Sequence, residues 1–224
     1  MTMTLYGVPL SPYVRKIRFL LALKGLDYRL EPVMPFATPD WYAEINPLRR
    51  VPALRDGDQV LADSSVIAQY LEETCPGTPA WYGNDPASRA RTRWLEKFAD
   101  YEVAPKATFA VFGQRLLAPL RGGSCDEALV RKAVQEDLPP LFDYLERQLN
   151  DEGWLCDRQA NAADIALACQ LINMEYGGER LDATRWPRLA AHFERVRQSA
   201  PMQALLAEEA DLVGKMQAKA GLRG

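Results

Sequence analysis

At 224 residues, 48% of them hydrophobic and 25% charged, the chain is long enough for one large domain or two modest ones, each with its own core. Its 27 basic and 30 acidic residues leave a net charge of -3 with no long like-charge run, which argues against a nucleic-acid or anionic-membrane surface. Residues 1–8 lack the basic flank and apolar run of a signal peptide, and no later stretch holds about 18 consecutive apolar residues, so a cytoplasmic protein with no membrane partner is expected.

In chain order, the pattern predicts a strand over residues 4–8, a helix over 13–24 with Gly25 as a left-handed C-terminal cap, and a second strand over 28–33. The helix carries Val14, Ile17, Leu20, Leu21 and Leu23 at three- and four-residue spacing, and places Arg15, Lys16 and Arg18 mostly on its other faces. A looser segment over 35–50 leads to a hairpin: Val51-Pro52-Ala53-Leu54, an Asp56-Gly57 turn and residues 59–62. Asp63-Ser64 then caps a helix through Val66, Ile67, Tyr70 and Leu71.

Residues 75–85 are dense in turn formers and read as an interdomain linker, with the boundary near residue 80. Beyond it no strand hairpin is evident. Helices are predicted over 88–112, over 126–149 with a kink at Pro139-Pro140, over 162–176 and over 187–199, followed after Ala204 by a tail read as a frayed helix. The expected division is an α/β domain over residues 1–79 and an all-α domain over 86–224.

Cys75, Cys125, Cys156 and Cys169 form no Cys-x-x-Cys pair and have no His-rich partner segment, so neither a disulfide framework nor a metal site is expected. The one histidine, His192, lies in a helical stretch far along the chain from every candidate nucleophile and is read as a surface residue. Trp94, Trp154 and Trp186 are read as packing residues.

Three short motifs fall where one element gives way to the next: Ser11-Pro12, Val51-Pro52 and Asp63-Ser64. Such a trio on one sheet edge suits an extended, peptide-like ligand, and a small thiol peptide is the first to consider. The β-α-β, β-β-α and all-helical order resembles the cytosolic glutathione S-transferase family over nearly the whole chain. Ser11-Pro12-Tyr13 before Lys16-Ile17-Arg18 is similar to the Ser-Pro-Phe signature of its serine-type classes (tau, phi, zeta and omega-like members). Asn46-Pro47 before Val51-Pro52 resembles their segment ahead of the third strand. Asp63-Ser64 before Ile67 resembles the Glu-Ser-x-x-Ile element, with Asp in place of the usual Glu. Gly153 and Asn161-Ala162-Ala163-Asp164 resemble the family's glycine and its helix capping box, with Asn for the hydroxyl residue and a structural rather than catalytic role.

The resemblance implies a thioredoxin-like N-terminal domain, an all-helical C-terminal domain, glutathione as co-substrate, no metal, a homodimer and a detoxifying transferase. Ser11 would stabilise the glutathione thiolate from the first turn of the first helix. Tyr13, Arg50, Val51, Pro52, Asp63 and Ser64 would complete the glutathione site: the Val51 backbone beside a cis Val51-Pro52 bond pairs with the cysteinyl unit, Arg50, with Arg49 as a weaker candidate, meets the glycyl carboxylate, Ser64 receives the γ-glutamyl carboxylate, and Asp63 pairs with its ammonium. Leu10, Tyr13, Tyr101, Phe109 and Phe112 are the candidates for holding a small hydrophobic electrophile. Tyr6, within a strand pattern, is assigned to packing, and the absence of Cys at position 11 disfavours reductase chemistry there. Alternatives implied by the same likeness are a glutathione-dependent isomerase, dehalogenase or etherase, and an interaction module without catalysis.

Overall fold

The computed structural model describes residues 2–75 and 80–222, and contacts divide the chain into two compact units, Met1–Trp81 and Tyr82–Gly224. Part of the segment read as a linker, residues 76–79, lies outside the described residues. In the first unit β1 (Met3–Gly7) pairs in parallel with β2 (Tyr28–Pro32), and α1 (Pro12–Leu23) makes the crossover. β3 (Ala53–Asp56) runs antiparallel to β1 and β4 (Gln59–Ala62) antiparallel to β3, so the sheet order is β2-β1-β3-β4. α2 (Ser64–Thr74) packs on α1 and closes the thioredoxin-like unit.

Local chemistry accounts for the boundaries. Ser11 caps α1 and Pro12 occupies its first turn, where a missing N–H is harmless. At the other end Gly25 adopts φ +63, and the Gly25 and Leu26 amides donate to Ala22 and Leu21 carbonyls at 3.1 and 2.9 Å, a Schellman ending. The hairpin register pairs Asp56 with Gln59, so the two-residue loop is Gly57-Asp58, one residue later than the pattern suggested, with Gly57 at φ +57.

The basic residues of α1 depart from expectation. Arg15, Lys16 and Arg18 are buried, not displayed on a solvated face. Arg18 Nε donates to the Tyr28 hydroxyl at 2.7 Å, which gives part of the buried guanidinium a partner. The Lys24 side chain is also buried, paired with Glu72 of α2 at 2.9 Å and donating to the Cys75 carbonyl at 3.0 Å.

The second unit begins with α3 (Pro86–Phe98), opened by a capping box between Asp85 and Ser88. The helix widens into π-helical stretches, Ala99–Val103 and Pro105–Leu117, before the short α4 (Ala118–Leu120). α5 (Glu127–Lys132) and α6 (Leu138–Gln148) are joined by a third π stretch, Ala133–Asp137. The distortion therefore precedes Pro139-Pro140, since neither proline has an N–H to offer the carbonyls one turn earlier. α7 (Ala162–Tyr176) is buried continuously over residues 162–174, as befits a helix apolar on nearly every side. α8 (Pro187–Arg197) and α9 (Ala200–Ala220) complete the unit. The tail is no frayed end: Met202, Leu205, Glu209, Val213 and Met216 form a buried stripe, and Tyr176 donates to Glu209 at 2.9 Å.

His192 is buried, contrary to the surface reading. Its Nε2 lies 2.7 Å from Asp164 Oδ1, and its ring makes a T-shaped contact with Trp154, centroids 5.9 Å apart. Asp164 also accepts from the Leu155 amide at 3.0 Å and, as the capping box, from the Asn161 amide at 2.9 Å. One carboxylate thus closes the α7 N-terminus and gives His192 Nε2 its partner. Trp186 packs edge-on against Phe142, as expected of a packing residue, but Trp94 is 58% exposed because it lies on the face of α3 opposite buried Leu95 and Glu96. Among the described residues no helix is long and apolar enough to cross a membrane.

Candidate functional site

The sheet register brings the three sequence motifs to one end of the first unit. Tyr6 pairs with Ala53, and Ala53 with Ala62, so these residues form one row across β1, β3 and β4. From that row β1 leads forward to Ser11, β3 is entered from Val51-Pro52, and β4 leads forward to Asp63-Ser64. Three adjacent strands at about 4.8 Å spacing span about 10 Å, comparable to an extended tripeptide at about 3.3 to 3.6 Å per residue. Gly7 makes the close approach possible: a Cβ there would overlap Val14 Cγ2 of α1 and lie 3.4 Å from Val51 Cβ.

Ser11 is half-buried at the N-cap, with φ -70 and ψ 122. Its Oγ accepts from the Val14 amide at 3.4 Å, an arrangement that leaves the hydroxyl proton available for donation elsewhere. The amide dipoles of α1 point the same way, so the position favours an anion. Tyr13 is half-buried beside it and Leu10 is buried.

The Val51-Pro52 peptide bond is cis. Strand pairing begins at Ala53, so Val51 lies ahead of the ladder with its backbone outside the pairing of β1 and β3. The two neighbouring arginines have different surroundings. Arg49, at φ +52, pairs with Asp40 at 3.2 Å and reaches the Thr38 carbonyl at 3.4 Å, whereas the exposed Arg50 side chain makes no hydrogen bond or ion pair among the described residues.

Asp63 stands at φ +75 and ψ 128, a conformation that L residues rarely adopt and that costs of order 1–3 kcal/mol. Its Oδ1 accepts from the Ser65 amide at 2.8 Å and the Val66 amide at 3.4 Å, capping α2. Both bonds use one oxygen, which leaves Oδ2 outside the cap on an exposed residue. Ser64 is buried at the first position of α2, at the positive end of its dipole.

Tyr6 belongs to the core, grouped with Val33, Tyr42 and Ala53, and its hydroxyl accepts from Arg55 Nε at 3.3 Å. The remaining sequence candidates lie in the second unit: Tyr101 and Phe109 are exposed and Phe112 is buried.

The chain's own thiols are poor nucleophiles at two of their four positions. Burial, with Glu127 accepting from the thiol, pushes Cys125 up to about 11, and burial also raises Cys156. None of the four cysteines is in a disulfide, and among the described residues no cluster of three or more His, Cys, Asp or Glu is arranged to hold a metal ion.

Sequence reasoning missed Tyr42 and Asn46, which lie beneath the Val51-Pro52 loop. Both are buried, and both donate to the Arg50 carbonyl, from the Tyr42 hydroxyl at 2.9 Å and from Asn46 Nδ2 at 2.8 Å. The Asn46-Pro47 dipeptide was the only signal in the sequence, and it marks the segment without showing what the amide holds.

Residues 5–79 match the family model for the glutathione S-transferase N-terminal domain, and residues 126–195 match that for the C-terminal domain. The chain is 34% identical to a maleylacetoacetate isomerase of Pseudomonas aeruginosa, over 89% of this chain and 96% of that protein. It is 30% identical to FtsZ-localized protein A of Caulobacter vibrioides, over 79% of this chain and 78% of that one. Among solved structures, a glutathione S-transferase from Rhodospirillum rubrum superposes with a TM-score of 0.83 at 27% identity, covering 92% of each chain.

Proposed function

Since the chain belongs to the glutathione S-transferase family, we propose that it activates the thiol of glutathione through Ser11 for attack on small hydrophobic electrophiles. The observation that carries this reading is the convergence of Ser11, the Val51-Pro52 loop and Asp63-Ser64 on the Tyr6–Ala53–Ala62 end of the sheet.

Each anchor matches a part of an extended glutathione. The γ-glutamyl carboxylate sits at the α2 N-terminus on Ser64, and Asp63 Oδ2 pairs with the neighbouring ammonium, so the two ends of a zwitterion meet opposite partial charges. Asp63 is shorter than the usual Glu, and its backbone is strained, a feature concentrated at ligand sites. The cysteinyl unit pairs antiparallel with the Val51 backbone, with Pro52 shaping the loop, and Arg50 reaches the glycyl carboxylate.

The thiol then lies by Ser11. A free thiol has a pKa of about 8.5, and a hydroxyl donor with a helix N-terminus behind it lowers that value by about one or two units. At neutral pH the thiolate becomes a major species instead of a few per cent. It forms a carbon–sulfur bond at the electrophilic carbon, the leaving group departs with its electron pair, and the proton displaced from sulfur passes to solvent. Leu10 and Tyr13 flank Ser11 in sequence and are the first unit's candidates for contacting the electrophile. A homodimer and a cytoplasmic location belong to the same reading.

The likeness to a maleylacetoacetate isomerase favours a second reading on the same site. The thiolate would add to an activated carbon–carbon double bond, rotation would follow about the resulting single bond, and expulsion of the thiolate would return glutathione unchanged.

Calorimetric titration with glutathione tests the common premise, and product analysis separates the readings. A chlorodinitrobenzene consumed together with glutathione supports conjugation; a cis-to-trans change in a maleyl compound without net loss of glutathione supports isomerisation. No glutathione binding would transfer the chain to the interaction modules.

A further inference from the structure

The contacts beneath the Val51-Pro52 loop bear on how the peptide anchor is aimed. Arg50 C=O and Val51 N–H belong to one planar peptide unit, and the cis bond of this loop is the next one along. In a trans unit the carbonyl and the amide hydrogen point in opposite directions, so fixing one fixes the other. The Arg50 carbonyl receives two donors, the Tyr42 hydroxyl at 2.9 Å and Asn46 Nδ2 at 2.8 Å, which together fill both oxygen lone pairs.

Both donors are themselves held. Asn46 Oδ1 accepts from the Leu48 amide at 2.9 Å, which decides which end of the side-chain amide faces Arg50. The Asn46 carbonyl accepts from the Arg49 amide at 2.9 Å, tightening the turn just before the clamped peptide. Tyr42 comes from a short 3-10 turn, Asp40–Glu44, and packs against Tyr6 with ring centroids 6.0 Å apart and edge-on against Trp41 at 5.8 Å. Burial, with a smaller contribution from Tyr6, pushes the Tyr42 phenol up to about 12, so it stays a donor throughout the neutral range.

The geometry points to Tyr42 and Asn46 as positioning residues for glutathione: by holding the Arg50 carbonyl inward they aim the Val51 N–H outward, at the place of the cysteinyl carbonyl. This rests on the glutathione reading above. Neither side chain touches the ligand, and their effect reaches it through one rigid peptide plane.

The test uses the full chain with Tyr42→Phe and Asn46→Ala, titrated with glutathione and with γ-glutamylcysteamine. The second ligand keeps the γ-glutamyl group and the thiol but has no cysteinyl carbonyl. Loss of one of two hydrogen bonds that hold the peptide plane weakens glutathione binding about fivefold, with little change for γ-glutamylcysteamine. The pH midpoint of the bound thiol stays at the wild-type value, because Ser11 is unaltered. Tyr42→Phe keeps the ring and its packing, so it remains informative if Asn46→Ala fails to fold. Equal loss for both ligands would make the clamp merely structural and overturn the proposal, as would unchanged glutathione affinity in a folded Tyr42→Phe protein. Absence of glutathione binding in the wild type would instead bring down the reading on which it rests.

Discussion

Replacing Ser11 with Ala removes the only side-chain hydroxyl in the turn between β1 and α1. A hydrogen bond to an ionised partner contributes about 1.5–3 kcal/mol, and one pKa unit corresponds to about 1.4 kcal/mol, so the bound thiol should rise by about one to two units. If the wild type holds it near pH 7, about half is thiolate there; at a restored value of about 8.5 only about 3% is, a fall of about 15-fold. The conjugation rate at saturating glutathione falls with it. Folding should suffer less. The Ser11 Oγ to Val14 amide bond is long, 3.4 Å, which puts the cost of losing the cap at the low end of its range, about 0.5 kcal/mol. Absorbance of the bound thiolate against pH reads the first effect, and urea unfolding reads the second. Ser11→Thr, which keeps a hydroxyl, should retain much of the thiolate. An Ala variant that binds glutathione with an unshifted midpoint would refute the assignment and leave Ser11 as a helix cap.

Asp63→Gly should leave stability nearly unchanged, since relief of the φ +75 backbone, about 1 kcal/mol, is offset by a cap loss of a few tenths together with about 0.5–1 kcal/mol for glycine's greater freedom in the unfolded chain; glutathione affinity should nevertheless fall several-fold in calorimetry because the ammonium loses its carboxylate. Asp164→Ala should destabilise the protein by about 3–5 kcal/mol in urea, because it strands buried His192 and the Leu155 and Asn161 amides together. Alkylation of Cys125 by iodoacetamide should be slow at neutral pH and rise with a midpoint near its pKa of about 11; Glu127→Gln should lower that midpoint, since an anionic neighbour disfavours the thiolate.

What the sequence by itself determined is local or periodic. Ser11-Pro12, Gly25 and Asn161 with Asp164 specify helix ends through contacts within a few residues, and each forms as read. The alternation of β- and α-type periodicity over the first 75 residues yields the sheet, because one buried face per element leaves few ways to pair four short strands. The order of the three site motifs was legible for the same reason: each lies at an element boundary.

Tertiary structure alone decided what depends on partners distant in the chain. The buried state of Arg18 is accompanied by its bond to Tyr28 and that of His192 by its contact with Asp164, 28 residues away, whereas residue type alone assigns arginine to the surface and leaves histidine undecided. Trp94 is exposed because of which face of α3 turns inward, and a tryptophan's hydrophobicity does not carry that information. The backbone strain at Asp63 and the Tyr42–Asn46 hold on Arg50 appear only when β4 ends against α2 and the 3-10 turn folds beneath the loop. Sequence pattern records the periodicity of an element, but the direction of a single peptide plane is set by the side chains that the whole fold packs against it.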